Sequence, residues 1–444
     1  MRKGQVVSGV RVEELGPDAL GSARVDGVDL LVAGACPGDV VDLEIAHVSH
    51  HQPRAWCEIA RVTSRGEIFV EPACGNQWPV RGECGGCPAM HVDPAAMGAA
   101  KEGAVAAALL ARGRDVEVDW NPSGVTLGYR NRGQYVVARR GGRVSLGSYA
   151  PRSHRVAPMD GCPVAREPIA ETAAALEEVL AGAGVPIHPE PAGVRYVTIR
   201  SCAEGRALVD IVITVEAPGW LDSLADEIVA VDGVDGVSCS VNPGGGNAIR
   251  TAPSSILRGA GTCIEEVGGV RLELEASSFS QLNSEVAGRM YRAAAEAFGA
   301  PRVVWDLYCG AGGLGLTVAA ASPGAKLYGA DSVPRSIELA AANADRAGVA
   351  ATHEAIDLSE RGPGGWPRPD LILANPPRRG LDPPILERLA STEAGALIYM
   401  SCNPASFARD FEELASSGWR LDRVEAHDML PGTAHVEILA ALSR

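Results

Sequence analysis

The run VVWDLYCGAGGLGLTVAAA, Val303 to Ala321, narrows the possible folds more than any other stretch. A buried strand, a glycine-rich turn and an apolar helix follow one another without a break. Gly310, Gly312 and Gly313 let the backbone approach a ligand closely and change direction sharply. Downstream, the strand-like runs KLYGAD, DLILAN and ALIYMS alternate with helical segments or loops. That order implies a doubly wound parallel sheet, which binds nucleotides at the carboxyl ends of its strands. Asp331 closes KLYGAD, 25 residues after Asp306, where an acid can accept hydrogen bonds from ribose hydroxyls. Gly310, Gly312 and Gly315 fit the G-x-G-x-x-G spacing, so NAD and S-adenosylmethionine both remain open, and no Walker lysine supports ATP.

Two later strand ends add chemistry. ILANPPRRG, Ile372 to Gly380, ends a strand in a rigid Asn375-Pro376-Pro377 loop, a common methyltransferase feature; a proline-stiffened turn is the plainer reading. The next strand ends in Cys402, near Asn375 at the same sheet edge. A buried packing thiol is the plain alternative to a nucleophile. In HVEILAAL, Glu437 stands between Val436 and Ile438. A carboxylate in such a strand either faces outward or is buried for use, and burial would raise its pKa into the range of a base.

The 444-residue chain suggests about three domains. Residues 1–63 read as short strands with turns at Pro37-Gly38-Asp39 and elsewhere, a small barrel. Residues 64–284 read as a β-rich middle domain with a cysteine-rich loop and two helices, and 285–444 as the α/β domain. MRKGQVVSGV lacks the apolar core of a signal peptide and no run is long enough to span a bilayer, so the expectation is a cytoplasmic protein with no membrane association. A net charge of −15 argues mildly against nucleic acid, yet a local basic face can escape that average. Tyr129 to Arg155 holds seven arginines and three tyrosines without one Asp or Glu, which suits phosphates and unstacked bases.

Cys74, Cys84 and Cys87 form a C-x9-C-x2-C pattern, and Cys162 lies far downstream. Spacing alone leaves a zinc site, an iron–sulfur site and unligated core cysteines open.

Taken together, DLYCGAGGLGL, NPPRRGL, SCNPASFARDF and DMLPGTAHVEILA resemble the RNA uracil-5-methyltransferase family over nearly the whole chain. The resemblance implies an OB-like TRAM barrel, a β-rich middle domain with a cysteine cluster and a Rossmann-like class I methyltransferase domain. It implies Cys402 as the nucleophile toward uracil C6 and Glu437 as the base that removes the C5 proton. For S-adenosylmethionine it implies Gln281, Tyr308, Gly310, Asp331 and Asn375, with Asp357 a candidate on the adenine side. For a [4Fe-4S] cluster it implies Cys74, Cys84, Cys87 and Cys162. The implied partner is RNA, with 23S rRNA favoured over tRNA, and no protein partner is inferred. The sequence departs from the family at Asn375, where Asp is usual, and at Gly313, where Asn is frequent. An amino-group methyltransferase shares Asn-Pro-Pro but expects an aromatic where Arg378 stands and has no use for Cys402. A noncatalytic RNA-binding factor retaining the fold is the other alternative.

Overall fold

The computed structural model describes residues 1–244 and 248–444. Six strands open the chain: β1 (Val6–Arg11), β2 (Glu14–Leu15), β3 (Leu20–Val25), β4 (Val28–Ala33), β5 (Val40–Val48) and β6 (Arg54–Ser64). They form one sheet in the order β1-β5-β6-β4-β3-β2. Leu30, Val32, Val41, Leu43 and Ile45 alternate inward and are fully buried, as a period of two requires. The two ends of that order, β1 and β2, are one stretch of chain interrupted only at Val12-Glu13, and Glu13 N–H donates to Ser22 O (2.7 Å), so the sheet curls into a half-barrel whose outer strands are consecutive in sequence. The β1–β5 register shifts between Val7 and Val10, where Gly9 takes a φ of 68°, and such a bulge bends the strand and increases its twist.

After the cysteine-rich loop come α1 (Pro94–Leu110) and β7 (Asp119–Asn121). Asp93 caps α1 by accepting the Ala95 and Ala96 N–H groups, which satisfies donors that have no partner inside the helix. The middle of the chain forms β8 (Arg132–Arg140), β9 (Arg143–Tyr149), β10 (Val156–Pro158), α2 (Glu167–Gly182), β11 (Val194–Ser201), β12 (Ala207–Ile213), α3 (Leu221–Val229), β13 (Val234–Val241) and β14 (Ser255–Gly259). Its strands build one sheet, β10-β9-β8-β11-β12-β13-β14. The hairpin β15 (Cys263–Val267) and β16 (Val270–Leu274) leads to α4 (Ser284–Glu296).

The last part is the alternating one: β17 (Val303–Leu307), α5 (Gly313–Ala320), β18 (Lys326–Asp331), α6 (Pro334–Ala347), β19 (Ala350–Ala355), β20 (Leu371–Ala374), α7 (Pro383–Ser391), β21 (Ala396–Ser401), α8 (Pro404–Ser416), β22 (Arg420–His427) and β23 (Glu437–Ser443). The sheet order is β19-β18-β17-β20-β21-β23-β22-β7. Strands β17 to β21 run parallel, and β23 enters antiparallel between β21 and β22. Both faces are covered. Val105, Ile385 and Phe407 pack with Trp305 and Leu307 on one face; Met290, Leu316 and Leu339 pack with Val304 on the other. Segment 285–444 is therefore completed by α1 and β7, which precede the middle sheet in the chain.

Among the described residues no helix is long and apolar enough to cross a membrane.

Candidate active site

A cavity of about 580 Å³ opens at the carboxyl ends of β17, β18, β20 and β21, within the size range of small-molecule sites. Gln281, Tyr308, Gly310, Asp331, Asn375, Cys402 and Glu437 all line it, as does Asp357. The residues singled out for S-adenosylmethionine and those singled out for chemistry thus share one space.

The glycine turn is held from two sides. Gly310 N–H donates to Asp331 Oδ2 (3.0 Å), and Val333 N–H donates to Asp331 Oδ1 (3.0 Å). Gly315 N–H donates to Asp306 Oδ2 (3.0 Å). Asp306 is buried, and desolvation pushes its pKa up to about 7. Tyr308 takes a φ of 61°, which swings the chain out of β17 into the turn, and its hydroxyl donates to Asp382 Oδ2 (3.1 Å). Neither Asp306 nor Asp382 stands out in the sequence as a site residue, because each acts on a neighbour.

Two glycines are explained by space. A Cβ on Gly313 would lie 3.1 Å from Leu272 Cδ1 and 3.2 Å from Tyr291 Cε2. A side chain at 313 would need Leu272 or Tyr291 to give way by a few tenths of an ångström. A Cβ on Gly315 would lie 2.4 Å from Asp306 Oδ2 and 2.9 Å from Leu327 Cδ1. Gly315→Ala is expected to lower stability by about 1–3 kcal/mol, as overpacking does; an unchanged thermal midpoint would contradict this.

Cys402 and Glu437 meet through strand register. Ser401 pairs with Ile438 in the antiparallel β21–β23 ladder, so one step further Cys402 stands across from Glu437. Asn403 fixes the turn: its Oδ1 accepts from Ala405 N–H (3.1 Å) and its Nδ2 donates to Arg378 O (3.1 Å). Ser406 Oγ also donates to Arg378 O (3.2 Å). The Asn-Pro-Pro loop and the thiol-bearing turn are thereby locked together. Asn375 N–H donates to Leu307 O (3.3 Å), which anchors the start of that loop on β17. Burial raises the Cys402 pKa, the Glu437 charge raises it further, and Arg378 lowers it. Burial alone pushes Glu437 up to about 8. Its side chain has no hydrogen-bond partner among the described residues.

Cys74, Cys84, Cys87 and Cys162 line a separate cavity of about 130 Å³ with Gln77, Arg130 and Met159. None is in a disulfide. Among the described residues no three His, Cys, Asp or Glu side chains are arranged to hold one metal ion. A single zinc ion needs its ligands about 2.3 Å from one point, whereas a cluster takes each thiolate on a different iron. Burial pushes the Cys87 pKa up to about 12, and Arg130 on the same wall offsets part of that rise.

The arginine-rich stretch differs from the free basic face expected. Arg139 pairs with Glu190 (3.1 Å), Arg140 with Glu83 (3.3 Å), and Arg155 also with Glu83. Arg132 turns inward to donate to Ser278 O. Tyr129 and Tyr135 are buried, and Tyr149 is 44% exposed. The acids that neutralise the stretch come from outside it, which local composition does not reveal. Arg143 and Arg152 are exposed and take part in no ion pair among the described residues.

Comparison with known proteins gives two family matches: methyltransferase small domain over residues 276–392 and tRNA (Uracil-5-)-methyltransferase over 368–444. An uncharacterized RNA methyltransferase of Thermosynechococcus vestitus is 31% identical, the alignment covering 98% of this chain and 97% of the relative. One from Gloeobacter violaceus is 30% identical over 100% and 97%. Among solved structures, the Pyrococcus abyssi tRNA (uracil-54, C5)-methyltransferase in complex with S-adenosyl-L-homocysteine matches with a TM-score of 0.78 and 26% identity, covering 98% of both chains.

Proposed function

The chain belongs to the RNA uracil-5-methyltransferase family, and from that premise we propose that it methylates C5 of a uridine through a covalent bond from Cys402 and proton removal by Glu437. The observation that carries this reading is the β21–β23 register, which brings thiol and carboxyl together at one end of the cavity. Bound S-adenosylmethionine supplies an electrophilic methyl group. Gln281, Tyr308, Gly310, Asp331 and Asn375 are the residues assigned to hold it. Uracil C5 is a weak nucleophile until Cys402 Sγ adds to C6, which makes C5 an enolate carbon able to take the methyl. Glu437 then accepts the C5 proton, C5=C6 re-forms, and the C6–S bond breaks to free Cys402. An Asn at 375 keeps an acceptor without a charge, which suits a neutral uracil edge or ribose.

The test is RNA containing 5-fluorouridine, whose fluorine blocks proton removal. With S-adenosylmethionine present, a denaturant-stable protein–RNA adduct is expected; its absence on RNA shown to bind would overturn the reading. The half-barrel, read as a TRAM-like module, and the four cysteines support 23S rRNA as the substrate. The full-length likeness to a protein named for tRNA uracil-54 supports a second reading. Adduct yield on the two RNAs decides between them.

Cys74, Cys84, Cys87 and Cys162 line one cavity, which supports our proposal of a [4Fe-4S] cluster with these four as ligands. Anaerobic purification should give a brown protein with about four irons per chain; stoichiometric zinc would contradict it. For RNA binding, Arg143→Glu with Arg152→Glu is expected to weaken affinity and to flatten its dependence on salt by about one unit of slope per lost phosphate contact. An unchanged salt slope would remove these two arginines from the interface.

A further inference from the structure

The loop Asp428 to Val436 delivers Glu437, and its polar groups are held by chain that lies some 300 residues earlier. Lys101 Nζ, on α1, donates to Asp428 Oδ1 (2.6 Å) and to Leu430 O (3.4 Å). Asp428 N–H donates to Asn121 O (2.9 Å). Tyr129 Oη donates to Pro431 O (3.1 Å). Ala89 N–H donates to Gly432 O (2.8 Å). Within the loop, Thr433 Oγ1 donates to Leu430 O (2.6 Å) and accepts from His435 N–H (3.2 Å). Four anchors, at Asp428, Leu430, Pro431 and Gly432, thus fix the main chain up to five residues before Glu437.

Lys101 is 1% exposed. An ammonium group in such a place is costly unless paired and hydrogen-bonded, and an apolar side chain would fill that helix face without the cost. Glu437, by contrast, has no side-chain partner of its own among the described residues, so its reach is set by the backbone that carries it. Burial alone does not explain Lys101, whereas a need to hold the loop does.

We infer that Lys101, with Tyr129 and the Ala89 main chain, is a clamp that positions Glu437 against the C5 proton of the methylated adduct. The inference rests on the proposed role of Glu437. Lys101 touches no reacting atom and is a positioning residue. The step it serves is the last one: the C5–H bond breaks, the proton passes to Glu437, the electron pair forms C5=C6, and the thiolate leaves C6. Clamp loss displaces the carboxyl by a fraction of its reach, and displacements of that kind cost roughly 10- to 100-fold.

The experiment compares wild type, Lys101→Met, Lys101→Arg and the apolar pair Lys101→Met with Asp428→Leu, all as full chains. Ordinary uridine RNA tritiated at C5 reports proton release, and denaturing gels report the adduct. Lys101→Met is expected to slow tritium release roughly 10- to 100-fold and to accumulate adduct on ordinary uridine. Its rate of adduct formation on 5-fluorouridine RNA should stay within about twofold of wild type. Lys101→Arg should recover part of the release rate, and the apolar pair should stall like Lys101→Met while melting like wild type. Equal slowing of adduct formation and tritium release, or no slowing of either, would overturn the clamp. Absence of adduct in wild type would instead overturn the roles of Cys402 and Glu437, and the clamp with them.

Discussion

Cys402→Ala is expected to lose turnover by roughly 10⁴-fold or more, the scale on which covalent nucleophiles are missed, and to form no adduct with 5-fluorouridine RNA. The other cysteine lining the cavity, Cys309, offers no substitute. It is buried, its pKa is raised well above the ordinary thiol value, and its Sγ faces Gly310 O at 3.7 Å. The turn should survive the change, because Asn403, Ser406 and Arg378 hold it without the thiol. S-adenosylmethionine binding measured by calorimetry should therefore match wild type within about twofold, since none of the assigned cofactor contacts is removed. Retained turnover would remove covalent catalysis from this protein.

Glu437→Gln is expected to fail later in the cycle. Methyl transfer occurs once, the C5 proton stays, and adduct accumulates on ordinary uridine with turnover down roughly 10²- to 10⁴-fold, the usual loss of a general base. Two pH effects follow from the wild-type carboxyl at about 8. As a base it must be ionised, so resolution of the adduct should quicken as pH rises through about 8. For stability the sign is opposite. The folded protein keeps this proton where the unfolded chain, near 4.5, releases it. The group's contribution is fully present below 4.5 and is lost as pH rises through about 8. Glutamine keeps the shape without ionising, so the variant should melt like wild type near pH 5 and above it at pH 8 to 9. The gain is on the order of a few kcal/mol at most. Equal melting temperatures at both pH values would mean that Glu437 is not desolvated in solution.

The strand–turn–helix of Val303 to Ala321 was readable because each part carries a local signal: apolar run, glycines, apolar helix. The places of Cys402 and Glu437 at the cavity were readable because a thiol at a strand end and a carboxyl inside an apolar strand break the local pattern. What was not readable depends on pairings between distant segments. Arg132 looks like a surface charge and faces inward, because its acceptor, Ser278 O, lies 146 residues away. Lys101 sits in an alanine-rich helix with nothing beside it to mark Asp428 as its partner. The first sheet carries a register shift in β1 near Gly9, and alternation says nothing about register. Asp306 passes for a core strand residue until Gly315 is known to donate to it.

The three residues of β7 have a consequence for how the molecule is made. They run parallel to β22 with Glu425 beside Asp119 and His427 beside Asn121, so the last sheet is finished by chain synthesised long before it. Residues 119–121 leave the ribosome with no strand to join and wait for more than 300 further residues. Closing so long a loop costs entropy that only the finished sheet repays, and contacts of such separation slow folding. A fragment beginning at residue 285 would carry the strand order of a methyltransferase with β22 as a bare edge, and bare edges seek other chains. The amino-terminal third thus supplies the carboxyl-terminal sheet with the edge strand that covers β22.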